Sequence, residues 1–144
     1  MKESNLYFID TNIFLRVLVE EDKKTFKECF QILKAIKEGK IRAFTASLIL
    51  AEANWVLGGF YNFPKSEITV ALKSILSLKG LKIVDKYNFY SAISLYDNFS
   101  IKFIDALIAS HHLIHDKKSI IISYDKDFDK IGEVTRKEPN EILY

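Results

Sequence analysis

Cysteine is almost absent from this chain of 144 residues, and Cys29 stands alone. A single thiol excludes an internal disulfide and fits a reducing compartment. Its neighbours Phe26, Phe30 and Leu33 place it on an apolar stripe, as a small buried hydrophobe and not a nucleophile. Proline and glycine are scarce, two and five residues, and no repeat, low-complexity tract or linker interrupts the chain. No apolar run approaches the roughly 18 residues of a membrane span, and the N-terminus enters a strand without a signal-peptide layout. The cytosol is therefore the expected location, with no membrane partner. A dominant charge is missing too: the net charge is +2, compatible with a polyanionic partner but too small to argue for one. What remains is 49% hydrophobic and 28% charged, sized for one globular domain with a real core.

The organising stretch is Leu6-Tyr7-Phe8-Ile9-Asp10-Thr11-Asn12. An apolar run this short and uniform predicts a strand covered on both faces, as in a parallel α/β sheet. It stops at a carboxylate, and Thr11 or Asn12 is placed to cap an apolar helix from Ile13 to Val19. A second helix carries Phe26, Cys29, Phe30, Leu33 and Ile36 on one stripe and ends at Gly39. Ile41 to Phe44 predicts a strand, and Ser47 the cap of a third helix from Leu48 to about Leu57. Phe60, Tyr61 and Phe63 crowd the next loop. Pro64 and Ser66 open a fourth helix with Ile68, Leu72, Ile75 and Leu76 inward, closing at Gly80. A strand from Leu81 to Val84 and a short helix near Phe89 to Tyr96 follow. A long apolar helix, about Phe103 to His115, then leads into the strand Ile120-Ile121-Ile122-Ser123. The tail predicts a charged helical turn and an edge strand near Val134. This alternation argues for a doubly wound, mostly parallel sheet.

Four acids share one edge of such a sheet. Asp10 and Asp125 each follow a buried strand, so both lie at its carboxyl edge. Helices leaving or entering parallel strands there also start at that edge. Glu52, five residues past Ser47, sits roughly 7 to 8 Å below the start of its helix. Asp105 lies in the first turn or so of its own. A turn, cap or helix-end role explains Asp10, Asp105 or Asp125 singly, and Asp127 and Asp129 read as solvated turn residues. Glu52 resists that treatment. Its helix is apolar on most faces and holds no basic residue within one turn, so the carboxylate needs a narrow exposed stripe or a buried partner. Unit charges about 4 Å apart repel by roughly 4 kcal/mol at an effective dielectric near 20. A converged cluster therefore calls for a cation, and for oxygen donors that means Mg²⁺ or Mn²⁺, which suits phosphodiester cleavage.

The segments Phe8-Ile9-Asp10-Thr11-Asn12, Ala51-Glu52-Ala53-Asn54-Trp55, Phe103-Ile104-Asp105-Ala106-Leu107 and Ser123-Tyr124-Asp125-Lys126-Asp127-Phe128 together resemble the PIN-domain nucleases. The likeness is greatest to the VapC-like toxins of toxin–antitoxin pairs, and it covers essentially the whole chain. It implies a three-layer α/β/α PIN-like domain over residues 1–144, with a mostly parallel sheet of four to five strands. It implies a Mg²⁺- or Mn²⁺-dependent endoribonuclease acting on single-stranded or looped RNA. Asp10 and Asp105 would be the main metal ligands, with Glu52 and Asp125 completing a catalytic set of four. Thr11, Asn12 and Ser123 would hold the carboxylates by hydrogen bonds. A homodimer and a small antitoxin that blocks the site are implied as well. The chain departs from the pattern at Gly58-Gly59 with its aromatic loop and at His111-His112-Leu113-Ile114-His115.

Other residues weigh less. His111 and His115 have zinc spacing but no third ligand at a recognised distance. Trp55, Phe60, Tyr61 and Phe63 can stack on bases, though core packing or a dimer surface is the better expectation. Arg16, Lys102 and Lys126 lie near the edge, where a phosphate contact competes with plain solvation. A haloacid-dehalogenase-type phosphotransferase needs an acid where Asn12 stands. A receiver-type phosphoacceptor has no use for Glu52 and Asp125. A metal-dependent DNA nuclease, a housekeeping RNA-processing enzyme and an inactive RNA- or partner-binding scaffold remain as alternatives; a scaffold, however, gains nothing from repelling carboxylates.

Overall fold

In the computed structural model, which describes residues 5–143, there are five strands. These are β1 (Leu6–Ile9), β2 (Arg42–Thr45), β3 (Leu81–Ile83), β4 (Ile120–Ile122) and β5 (Arg136–Lys137). They form one sheet in the order β3-β2-β1-β4-β5, with every neighbouring pair parallel. Phe8 lies opposite Phe44 on one side and Ile121 on the other. A central strand is covered on both faces, which is why β4 is three consecutive buried isoleucines. The outer strands instead carry Lys82, Arg136 and Lys137, charges that blunt an open edge.

Helices α1 (Thr11–Val19) and α2 (Lys23–Lys37) connect β1 to β2, and α3 (Ser47–Gly59) and α4 (Lys65–Leu76) connect β2 to β3. Helices α5 (Phe89–Asn98), α6 (Phe103–Ser110) and α7 (His112–His115) return the chain to β4, and α8 (Pro139–Ile142) ends it. Right-handed crossovers put α1 to α4 on one face and α5 to α7 on the other, giving three layers. α1 packs on α2 and α3, and α5 on α6. Phe8, Phe14, Phe44 and Phe128 fill the core, with Phe8 and Phe44 edge to face at 5.4 Å. No helix among the described residues is long and apolar enough to cross a membrane.

The chain moves outward from β1 through β2 and β3, then comes back to lay β4 against the other side of β1. The connection changes direction between β1 and β4, and in open α/β sheets a crevice opens at the carboxyl ends of such a pair. The Asp10 amide donates to the Ile122 carbonyl at 3.1 Å, so the β1–β4 ladder runs to the lip of that crevice.

Several sequence expectations change here. The expected helix from Phe103 to His115 is two helices broken at His111, whose backbone is extended (ψ 132). The imidazole is fully buried. Its Nδ1 accepts from the Leu113 amide at 3.1 Å, so the ring proton sits on Nε2 and donates to the Val84 carbonyl at 2.8 Å. Burial holds it below its usual pKa and neutral. With both ring nitrogens engaged, His111 is a pin between α6 and the end of β3, and the zinc reading fails. The cap of α1 is Asp10, not Thr11 or Asn12. Ser47 starts α3 without capping it; Asp85 Oδ1 takes its amide from outside at 3.0 Å. On α2 the buried stripe is Cys29, Ile32, Ala35 and Ile36, while Phe30 is half exposed. Leu76 is likewise exposed on α4, where Ala71 takes the inward position. The edge strand lies two residues beyond Val134.

Gly80 has φ +90, and a Cβ there would meet the Ile36 carbonyl oxygen at 2.5 Å. Gly39 has φ +75 but open space around it. Gly39→Ala should lower stability by about 1 kcal/mol from backbone strain alone, and Gly80→Ala by clearly more. Urea midpoints test this; equal losses would mean the Ile36 contact yields freely.

Candidate functional site

Asp10 closes β1 and caps α1 with one carboxylate. Its Oδ1 accepts from the Thr11 amide at 2.8 Å, and its Oδ2 accepts from the Ser123 hydroxyl at 2.6 Å. Ser123, just past β4, has its Oγ bonded by the Asp125 amide at 2.9 Å, which fixes the turn that presents Asp125. Asn12 bridges both strand ends. Its Nδ2 lies 3.4 Å from Asp10 Oδ2 and 3.3 Å from Ser123 Oγ, and its Oδ1 accepts from the Tyr124 amide at 3.3 Å. The Thr11 hydroxyl at the start of α1 donates to Glu52 Oε1 on the neighbouring α3. Asp105, in the first turn of α6, completes the group. Asp10, Glu52, Asp105 and Asp125 line one cavity of about 170 Å³ together with Thr11 and Asn12. Ser123 stands behind it.

Burial dominates the electrostatics. Asp10 and Asp105 are only 4% and 3% exposed. Burial raises Asp10 to about 6, against the Ser123 and Thr11 hydrogen bonds, with Glu52 and Asp125 adding repulsion. Asp105 goes further, to about 8, through burial and then the charges of Asp125 and Asp10. One of its oxygens, Oδ2, is buried with no hydrogen-bond partner among the described residues.

Asp127 is the residue that sequence reasoning missed. It is half buried, and its carboxylate, with those of Asp105 and Asp125, offers oxygens all within 4.8 Å of one another. The 3₁₀ helix Lys126–Lys130 turns it inward, and its amide bonds Asp125 Oδ1 at 2.9 Å. The usable signal was the two-residue spacing of acids directly after a buried strand. Asp10 and Glu52 line the cavity but stand outside that trio. Asp129 is not simply solvated either; it pairs with Arg136 through two bonds of 3.0 and 2.9 Å. Of the flagged cations only Lys102 lines the cavity, with Nζ 4.0 Å from Asp125 Oδ2. Partial burial disfavours its charge, but Asp105, Asp125 and Glu52 outweigh that and hold it above its ordinary pKa. Arg16 instead covers the Tyr124 ring at 5.8 Å, and Lys126 is exposed. Tyr61 and Phe63 pack on Leu57 and Ile68, whereas Trp55 and Phe60 are open to solvent. Burial pushes the Cys29 thiol up to about 11, in keeping with a packing role.

The family model of the PIN domain matches residues 7–134. The chain belongs to the PIN-domain family. No protein of curated function matches it by sequence. Among solved structures of PIN-like fold, VapBC2 of Rickettsia felis, bound to a DNA fragment from its promoter, has a chain 19% identical with a TM-score of 0.68. That likeness covers 92% of this chain and 98% of the other. VapC20 of Mycobacterium tuberculosis, described as a sarcin-ricin-loop-cleaving toxin, is 16% identical over 88% and 95% with a TM-score of 0.62. FitAcB of Neisseria gonorrhoeae is 16% identical over 92% and 97%, also with a TM-score of 0.62. At these identities the likeness establishes the shared fold.

A divalent cation fits this PIN domain's donor set. The donors are carboxylate oxygens, the buried Asp105 Oδ2 lacks a hydrogen-bond partner among the described residues, and Lys102 alone among the cavity's lining residues opposes the charge of four acids. Burial, with the repulsion among the acids added to it, sets a pH dependence for the metal-free protein. Both acids are raised on folding from 3.8, Asp10 to about 6 and Asp105 to about 8. The folded state therefore binds more protons than the unfolded one between about pH 4 and 8, so their contribution worsens as pH rises through that window. In EDTA, Asp105→Asn should melt higher than wild type at pH 8, and the gap should close toward pH 4. A constant difference across that range would mean Asp105 titrates normally.

Proposed function

We propose that this PIN domain, taken as one unit over residues 1–144, is a Mg²⁺- or Mn²⁺-dependent endoribonuclease, the VapC-like toxin of a toxin–antitoxin pair. The observation that carries the reading is the meeting of Asp10, Glu52, Asp105 and Asp125, from four separate segments, around one cavity at the β1–β4 crevice. Asp10 and Asp105 would hold the cation, with Asp125 beside them. When bound, such an ion activates a water and neutralises charge on the scissile phosphate and leaving oxygen. The chain's own residues do the rest. Ser123 and Asn12 fix Asp10, the Thr11 hydroxyl fixes Glu52, and the Asp125 amide on Ser123 Oγ sets the position of Asp125. Lys102 stands where its ammonium can meet an incoming phosphate. RNA as the substrate and action in the cytoplasm belong to the proposal.

Its partners follow. Solved structures of the same fold include a toxin–antitoxin complex from Klebsiella pneumoniae. An apolar groove of about 420 Å³ between α1, α2 and α4, walled by Phe14, Val17, Phe30, Leu33 and Leu78 with Lys34 and Lys37 among its lining residues, supports a small antitoxin partner. The exposed Tyr90 and Ile93 on α5 support a homodimer.

Asp10→Asn or Asp105→Asn should abolish Mg²⁺-dependent cleavage of single-stranded RNA. Glu52→Gln and Asp125→Asn should each lose at least tenfold, about 1.4 kcal/mol of transition-state stabilisation. Equal activity in wild type and Asp10→Asn ends the reading. A DNA strand of the same sequence should survive, because the 2′-hydroxyl is the feature that separates the two; comparable cutting of both would point to a general or DNA nuclease.

A further inference from the structure

Beside the acid cavity lies a second, larger and more open hollow. It occupies about 790 Å³ between the end of α5, the start of α6 and the 3₁₀ helix, and its walls include Tyr96, Phe99, Phe103, Lys102, Asp127 and Lys130. We infer that this cleft is a binding subsite in which unpaired bases of single-stranded RNA stack on Tyr96, Phe99 and Phe103 while the strand's phosphates pass Lys102 and Lys130. The inference takes its occupant from the nuclease reading above.

Three observations carry it. The aromatic rings are presented and not packed away: Tyr96, Phe99 and Phe103 are 53%, 38% and 43% exposed. Tyr96 and Phe103 stand edge to face at 5.5 Å, so one ring braces the other and leaves a flat face free. The two hollows are also adjacent. Lys102 lines both, and Asp127 on the cleft wall offers an oxygen within 4.8 Å of the Asp105 and Asp125 oxygens. A strand whose phosphate reached the acids would lay its neighbouring nucleotides here. Finally, the lining alternates rings with charges. Lys130 is held at the mouth by the Ser100 carbonyl at 2.8 Å and by Asp127 at 2.9 Å, while the Lys102 ammonium is largely open to solvent. The contact between copies proposed at Tyr90 and Ile93 lies further back on α5; extended over this cleft it would bury Lys102, Lys130 and Asp127 as well, and the cores of protein interfaces are depleted of charge. Aromatic faces for the bases beside lysines for the backbone are the general solution for single-stranded nucleic acid.

The test is binding without cleavage. A short labelled single-stranded RNA is titrated with the whole protein in EDTA by fluorescence anisotropy, beside the same strand with abasic sites. Wild type should bind the strand with bases about tenfold or more tightly. Tyr96→Ala and Phe103→Ala should each weaken that binding roughly fivefold to a hundredfold and leave the abasic strand unaffected. Tyr96→Phe and Phe103→Tyr, which keep a ring, should restore it. Equal affinity of wild type for both strands overturns the proposal whether or not the alanine variants fold. So does unchanged binding by folded alanine variants. Weakened binding that tracks loss of self-association in sedimentation would assign the face to contact between copies instead. The nuclease reading is judged separately: acid-dependent cleavage with indifferent cleft variants leaves that reading standing and this one fallen, and stacking without any cleavage does the reverse.

Discussion

Repulsion between desolvated carboxylates is the constraint around which the rest of this structure is arranged. Asp10 and Asp105 are nearly without solvent, and Glu52 and Asp125 share their cavity. Three of the four are held by hydrogen bonds: Asp10 by the β1–β4 ladder and the Ser123 hydroxyl, Glu52 by Thr11, Asp125 by its own turn. The neutral scaffolding of Thr11, Asn12 and Ser123 orients the acids without cancelling their charge. An arginine inserted there would relieve the repulsion and remove the cation's reason to bind. Arg136 illustrates the separation: it braces the Ser123 carbonyl at 3.0 Å and pairs with Asp129 and Glu138, all outside the cavity.

The edge of the sheet that carries the acids was legible from sequence because it needs no strand order. A strand's end and the direction of an adjoining helix assign a residue to one edge whichever strands are neighbours. Strand order depends on how crossovers pack, and no local pattern records it. The same limit explains α2. Its apolar residues outnumber the places in the core, and only the neighbouring α1 and α4 decide that Ile32 goes inward while Phe30 faces a groove.

Two features of the site region depart from helical periodicity, the first for a tertiary reason and the second for a local one. The apolar pattern runs unbroken from Ile108 through Leu113 and Ile114, so nothing local ends the helix at His111. The break goes with the Val84 carbonyl, 27 residues away, accepting a hydrogen bond from Nε2–H. Asp127 sits in a run of charges that reads as solvated at any ordinary helical period. It turns inward because the segment winds as a 3₁₀ helix capped by Asp125, whose side chain accepts the Asp127 amide.

The pairing of β1 with β4 also has a consequence in time. Asp10 and the Ser123 hydroxyl that fixes it are separated by 113 positions, and chains are made from the N-terminus onward. A nascent chain holding β1, β2 and β3 already contains Asp10 and Glu52, yet it has no crevice to hold them in. The cavity comes into being only when β4 has been made and docks beside β1. Partial products that stop short of β4 therefore carry Asp10 and Glu52 without carrying the site.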